Sequence, residues 1–160
     1  MKKRVDLPEK KYEGYIFDLD GTLVDSMPLH YRAWREALAR AGAPDHVFRA
    51  DEFYSCGGKS ANDVVRFLNE RYGMHMDAAS TAADKRRIYL EMLEKEGMQP
   101  IREVVEFVHS LGDAPKAIAT GSAMPGASRT LAAAGLSGLF DVILTPDEVE
   151  HGKPAPDMFL

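Results

Sequence analysis

The sequence predicts an α/β fold, a parallel sheet carrying an inserted helical segment, on three observations. Three short apolar runs, Tyr15-Ile16-Phe17, Ala117-Ile118-Ala119 and Val142-Ile143-Leu144, each empty into a polar, turn-forming loop. A helical pattern separates the second and third runs, and strands alternating with helices of that length indicate parallel pairing. Between the first and second runs lies a long stretch with helical periodicity alone.

Each element has its own signal. The first run continues as Asp18-Leu19-Asp20-Gly21-Thr22, a mixture of acids and turn formers. That marks a buried strand opening at its carboxyl end, where an open parallel sheet binds ligands. Ala33, Trp34, Ala37, Leu38 and Ala41 then keep a 3.6-residue stripe, stopped by Gly42 and Pro44. Ser60 with Asp63 resembles a capping box ahead of Val64, Val65 and Leu68, and Gly73 closes that helix. A third helix over about 78–95 carries Ile88, Met92 and Leu93 before Gly97. Ile101, Val104, Val105, Val108 and Leu111 mark an amphipathic helix. The second strand runs into Thr120-Gly121-Ser122, and a helix over about 126–134 stops at Gly135. The third strand leads to Thr145-Pro146. Finally, Pro156-Asp157-Met158-Phe159-Leu160 reads as the first turn of another helix. One turn does not hold itself together, so the chain is expected to be cut mid-element.

The totals narrow the possibilities. A length of 160 residues allows one domain or one with a modest insertion. Hydrophobic content of 45% with 28% charged residues is ordinary for a globular chain. Lys and Arg number 20 against 25 acids and are scattered, which gives no electrostatic reason to expect nucleic acid as a partner. The basic start Met1-Lys2-Lys3-Arg4 is not followed by an apolar stretch, so no secretory leader is expected. No run approaches the ~18 apolar residues of a membrane helix, and no membrane partner is expected. The single cysteine, Cys56, allows no internal disulfide. Cytoplasm is the default compartment.

Chemistry gathers at the strand ends. On an extended segment, the i, i+2 spacing puts the Asp18 and Asp20 carboxylates on one face. Two such acids repel unless a cation or proton intervenes. A hard divalent ion such as Mg²⁺ suits these oxygens and brings phosphate with it. An isolated acid pair can equally be a loop that caps a helix. Thr120-Gly121-Ser122, before a helix, offers hydroxyls and open backbone N–H groups to a phosphate oxygen, or is an ordinary turn with Ser122 as N-cap. Lys153, held in Gly152-Lys153-Pro154-Ala155-Pro156, is a positioned charge or a solvated one. Their order is more telling than any single signal: acid pair, hydroxyl and cation fall at the same edge of one sheet.

On these residues a resemblance rests. The segment from Asp18 to Ser26, DLDGTLVDS, resembles the first motif of the haloacid dehalogenase superfamily; Thr120 matches the second, and Lys153 in KPAPD the third. The likeness covers essentially the whole chain and is similar to the β-phosphoglucomutase-like and sugar-phosphate phosphatase branch. It implies a Rossmann-like core of residues 1–26 and 100–160 with a helical cap of 27–99. It implies that Asp18 attacks phosphorus to form an aspartyl phosphate, while Asp20 serves as general acid and then base. Thr120, Gly121, Ser122 and Lys153 are the implied phosphate-binding set. The Asp18 carboxylate and the Asp20 backbone carbonyl are the implied Mg²⁺ ligands.

In the cap, the resemblance implies substrate contacts for His30, for Lys59 in the loop Gly57-Gly58-Lys59-Ser60, and for Lys85 on a distal phosphate. From their neighbours alone, His30 is a surface or helix-start histidine, and Lys85 beside Arg86 and Arg87 is on a solvated helix face. The arginine that the branch often carries after the substrate loop is replaced by Ala61 or Asn62, which speaks against a mutase gripping two phosphates. The branch's fourth motif, an acidic pair completing the metal site, would follow Asp157, beyond the last residue. A fragment, a truncated record or half of an assembly is therefore expected. The first strand would then be an uncovered edge open to self-association. The activity implied is a Mg²⁺-dependent phosphatase of small phosphorylated metabolites, with a β-phosphoglucomutase-like phosphotransferase or a catalytically incomplete binding module as rivals.

Overall fold

The computed structural model describes Pro8 and residues 10–160. The basic start from Met1 to Arg4, which bears on the expectation of no leader, lies outside the described residues. Three strands, β1 (Tyr15–Phe17), β2 (Lys116–Ala119) and β3 (Val142–Leu144), form a parallel sheet in the order β1-β2-β3. Phe17 lies opposite Ile118, and Ala119 opposite Leu144, so the three carboxyl ends are level. Among the described residues β1 is an edge strand, as expected, and Ile16 on it is 54% exposed.

Four helices separate β1 from the helix preceding β2: α1 (Met27–Arg40), α2 (Ala50–Ser55), α3 (Ala61–Tyr72) and α4 (Ala78–Glu96). Three were expected. The six-residue α2 buries only Phe53, too little for a periodic pattern to register. Helix α1 starts two turns before its predicted stripe, with proline in its first turn, where no N–H is missed. Helix α3 is bounded as predicted. Ser60 Oγ accepts the Asp63 N–H at 3.2 Å, although the reciprocal contact is a 2.6 Å bond to the Asp63 carboxylate. Gly73 ends the helix in the left-handed region at φ 63°. Asp77 caps α4 by accepting the Ser80 N–H at 2.7 Å.

After α5 (Arg102–Ser110) and β2 comes α6 (Met124–Ala133), whose N-cap is Ala123 rather than Ser122. Pro156–Phe159 is a 3-10 turn rather than the opening of an α-helix. Two apolar clusters hold the molecule. One joins Leu19, Leu23, Ile118 and Val108 to Ala33, Ile88, Tyr89 and Leu93, tying α1 and α4 to the sheet side. The other, Trp34, Leu38, Phe48, Val65 and Leu68, lies farther out among the helices. Each fully buried leucine contributes roughly 1.5–3 kcal/mol of transfer free energy. The chain enters and leaves the helical segment through paired linkers. Asp25 N–H donates to Gln99 O at 2.9 Å, and Ile101 N–H to Leu23 O at 2.8 Å.

Candidate active site

An alternation that continues past the end of β1 sets up the acid pair. Leu19 is fully buried, while Asp18 and Asp20 on either side of it line one cavity of about 530 Å³ between the sheet edge and the helical segment. That volume suits a small metabolite. The two acids differ in environment. The Asp18 side chain is 41% exposed and that of Asp20 only 17%.

Asp18 is paired with a cation. Lys153 Nζ donates to Asp18 Oδ1 and to the Ala119 carbonyl, both at 2.8 Å. The lysine is thus tied to the end of β2 as well as to the acid at the end of β1. Asp18 Oδ2 has no hydrogen-bond partner among the described residues.

Asp20 is enclosed by donors. Ser26 Oγ donates to Oδ1 and Ser122 Oγ to Oδ2, each at 2.6 Å, and His30 Nε2 lies 3.0 Å from Oδ1. Burial alone pushes this carboxyl up. The hydrogen bond and electrostatic pull of His30, with the hydrogen bonds from Ser122 and Ser26, outweigh it and hold the group below the usual carboxylate range. At rest Asp20 is a carboxylate.

The imidazole's protonation follows from its neighbours. Lys85 Nζ lies 2.9 Å from His30 Nδ1, and an ammonium has only protons to offer. Nδ1 therefore accepts, and Nε2 carries the proton donated to Asp20. Burial and the adjacent Lys85 charge keep His30 neutral by pushing its pKa below the usual value, against the pull of Asp20. Burial, partly offset by Asp20, brings Lys85 down to about 8. The order along the chain of contacts is ammonium, neutral imidazole, carboxylate.

These contacts revise two expectations read from neighbouring residues. His30 is buried, not a surface or capping histidine. Lys85 does not lie on a solvated face; it lines the cavity, with its ammonium 5.6 Å from the Trp34 ring centroid. Gly121, Ser122 and Lys59 also line the cavity. Thr120 does not. It is fully buried, and its Oγ1 accepts the Ser122 N–H at 3.0 Å, pinning the turn. Ser122, rather than capping α6, spends its hydroxyl on Asp20. Ser26, Asn62 and Arg86 went unassigned in the sequence. Ser26 sits within the DLDGTLVDS motif, which was its available signal.

No group of three or more His, Cys, Asp or Glu side chains that could hold a metal forms among the described residues. Two hard oxygen donors are nevertheless free of other partners among those residues, Asp18 Oδ2 and the Asp20 carbonyl. One carboxylate and one carbonyl suit Mg²⁺, which completes its shell with water and substrate phosphate. The Asp20 carboxylate, with both oxygens engaged, is not a candidate ligand.

At the carboxyl edge of the parallel sheet, a paired aspartate, a second and enclosed aspartate, and a hydroxyl turn face one cavity. Residues 12–160 match the family described as haloacid dehalogenase-like hydrolase, and the chain belongs to that family. It is similar to fructose-1-phosphate phosphatase YqaB of Escherichia coli (strain K12), 34% identical over 152 residues that cover 94% of this chain and 78% of that one. Hexitol phosphatase A of the same strain is 34% identical over 152 residues, covering 92% of this chain and 66% of the other. Among solved structures, β-phosphoglucomutase from Clostridium difficile superposes with a TM-score of 0.71 at 25% identity, covering 93% of this chain and 68% of that one. Among the described residues, no helix is long and apolar enough to cross a membrane.

Proposed function

We propose that the chain is the catalytic unit of a Mg²⁺-dependent phosphatase of small phosphorylated metabolites, sugar phosphates foremost, acting in the cytoplasm. The observation that carries this reading is the division of labour between the two aspartates: one open and paired with Lys153, the other enclosed by proton donors. Asp18 is the nucleophile. Its attack on phosphorus forms the aspartyl phosphate as the substrate alcohol leaves. Lys153 offsets the charge between Asp18 and an incoming phosphate dianion. The Gly121 and Ser122 turn, pinned by Thr120, faces the equatorial oxygens.

Asp20 handles the protons. Its resting carboxylate takes one from solvent as the phosphate dianion enters, because a nearby negative charge raises its proton affinity. It gives that proton to the leaving alcohol and then accepts one from water. When bound, Mg²⁺ on Asp18 and the Asp20 carbonyl supplies charge to neutralise phosphate oxygens. Residues 27–99 act as a cap over the core of 1–26 and 100–160, with Lys59 and Lys85 turned to the substrate. His30 contributes by orienting Asp20.

Incubation with a panel of sugar phosphates and Mg²⁺ tests the reading. Inorganic phosphate should be released, and stoichiometrically with the free sugar. Interconversion of sugar-phosphate isomers without net phosphate release would replace it by the phosphotransferase. Phosphate binding without turnover would leave a binding module.

A further inference from the structure

The proposed proton handling leaves unused a buried phenol beside it. Tyr89 on α4 lies flat against His30, with ring centroids 4.0 Å apart and planes 10° from parallel. Its hydroxyl meets Thr130 Oγ1 on α6 at 2.8 Å, and both residues are buried. Burial pushes the phenol up, so it stays protonated and can donate.

We propose that Tyr89 is a positioning residue: anchored by Thr130, its ring fixes the plane of His30 and so the orientation of Asp20. This rests on the proton-handling role given to Asp20 above. Hydrogen bonds at the two imidazole nitrogens define a line through the ring, about which it could still roll. A parallel aromatic face in contact removes that freedom. Two buried hydroxyls are costly when unpaired, so the Tyr89–Thr130 bond favours α4 docked on α6.

The connections close a circuit. Oδ1 of Asp20 accepts from Ser26 and from His30, and His30 is backed by Tyr89 and then by Thr130 on α6. Oδ2 is held by Ser122, just ahead of the same helix. Both carboxylate oxygens are therefore linked toward α6, Oδ2 through the turn just ahead of it and Oδ1 in part through the helical segment. Separating α4 from α6 would leave Oδ1 with Ser26 but free the plane of His30.

The test uses the full chain with Tyr89→Phe, Tyr89→Leu and Thr130→Val. The first readout is the NMR signal of the His30 ring protons, shifted upfield by the face of Tyr89, and needs no substrate. Tyr89→Leu should abolish that shift, and Thr130→Val should reduce it although it touches neither ring directly. The second is kinetic. Tyr89→Phe and Thr130→Val should each lower kcat by about tenfold with KM within about twofold, and Thr130→Ser should restore it. The double variant should be no slower than either single one. Folded Thr130→Val with an unmoved His30 signal, or variants that lose thermal stability at unchanged kcat, would overturn the inference. A chain without turnover would sink the phosphatase reading alone, since the His30 signals decide the positioning independently.

Discussion

At the scale of single residues, the two aspartates share a backbone register and differ in what surrounds them. Asp18 faces a cation and open space; Asp20 faces three proton donors. Lys85 adds a pH dependence. Its folded pKa of about 8 lies below the usual 10.5, so the cavity loses a positive charge as pH rises through about 8. KM for a phosphate dianion is expected to rise above that pH in the wild type. In Lys85→Met it should be raised throughout and no longer change there, as steady-state kinetics across pH 6–10 would show. The stability effect has the opposite sign. The charged, buried amine is a cost below about pH 8, relieved as pH rises toward the unfolded value. The sequence carried Asp18, Asp20 and Lys153 because a local motif holds each of them. It misled at Lys85, since charged neighbours at i+1 and i+2 do not fix which way a helical side chain faces, and Arg86 itself borders the same cavity. Tyr89 was unreadable for another reason: its role exists only through Thr130, a partner brought near by tertiary packing.

At the scale of elements, strand ends and caps do most of the positioning. Gly21 turns the chain directly after Asp20 at φ +78°, and a Cβ there would lie 3.1 Å from Met27 Cγ. Gly21→Ala is expected to destabilise by roughly 1–2 kcal/mol through the left-handed backbone and to lower kcat as well, because the loop carries Asp20. Denaturant unfolding together with kinetics would check both; an unchanged midpoint would contradict the strain argument. The strands were readable because each is a short apolar run bounded by turn formers. The capped ends of α3 were readable because Ser60, Asp63 and Gly73 act within one turn of themselves. Helix α2 was not, since six residues with one buried side chain make no period. The role of Ser122 stayed open because its hydroxyl suits two partners, the helix terminus and Asp20, and only the fold decides between them.

At the scale of the whole molecule, the level carboxyl ends of three parallel strands and the facing helices border a cavity that holds Asp18, Asp20, Lys85 and Lys153 among apolar side chains, and the proposed chemistry depends on that closure. The edge of β1, with Ile16 exposed, is the place where a second copy would pair. Light scattering after size exclusion should give a mass above the monomer's 17.7 kDa that grows with concentration, and Ile16→Lys should return it to the monomer. A monomer at every concentration would refute edge pairing without touching the catalytic reading. The central claim is that Asp18 carries the phosphoryl group. The most direct measurement is an acid quench of the chain turning over a ³²P-labelled sugar phosphate with Mg²⁺, followed by peptide mapping of the label. The expected result is a hydroxylamine-labile label on the peptide containing Asp18, absent from Asp18→Asn along with turnover. Phosphate release that continues in Asp18→Asn, or a label mapped to any other residue, would contradict it.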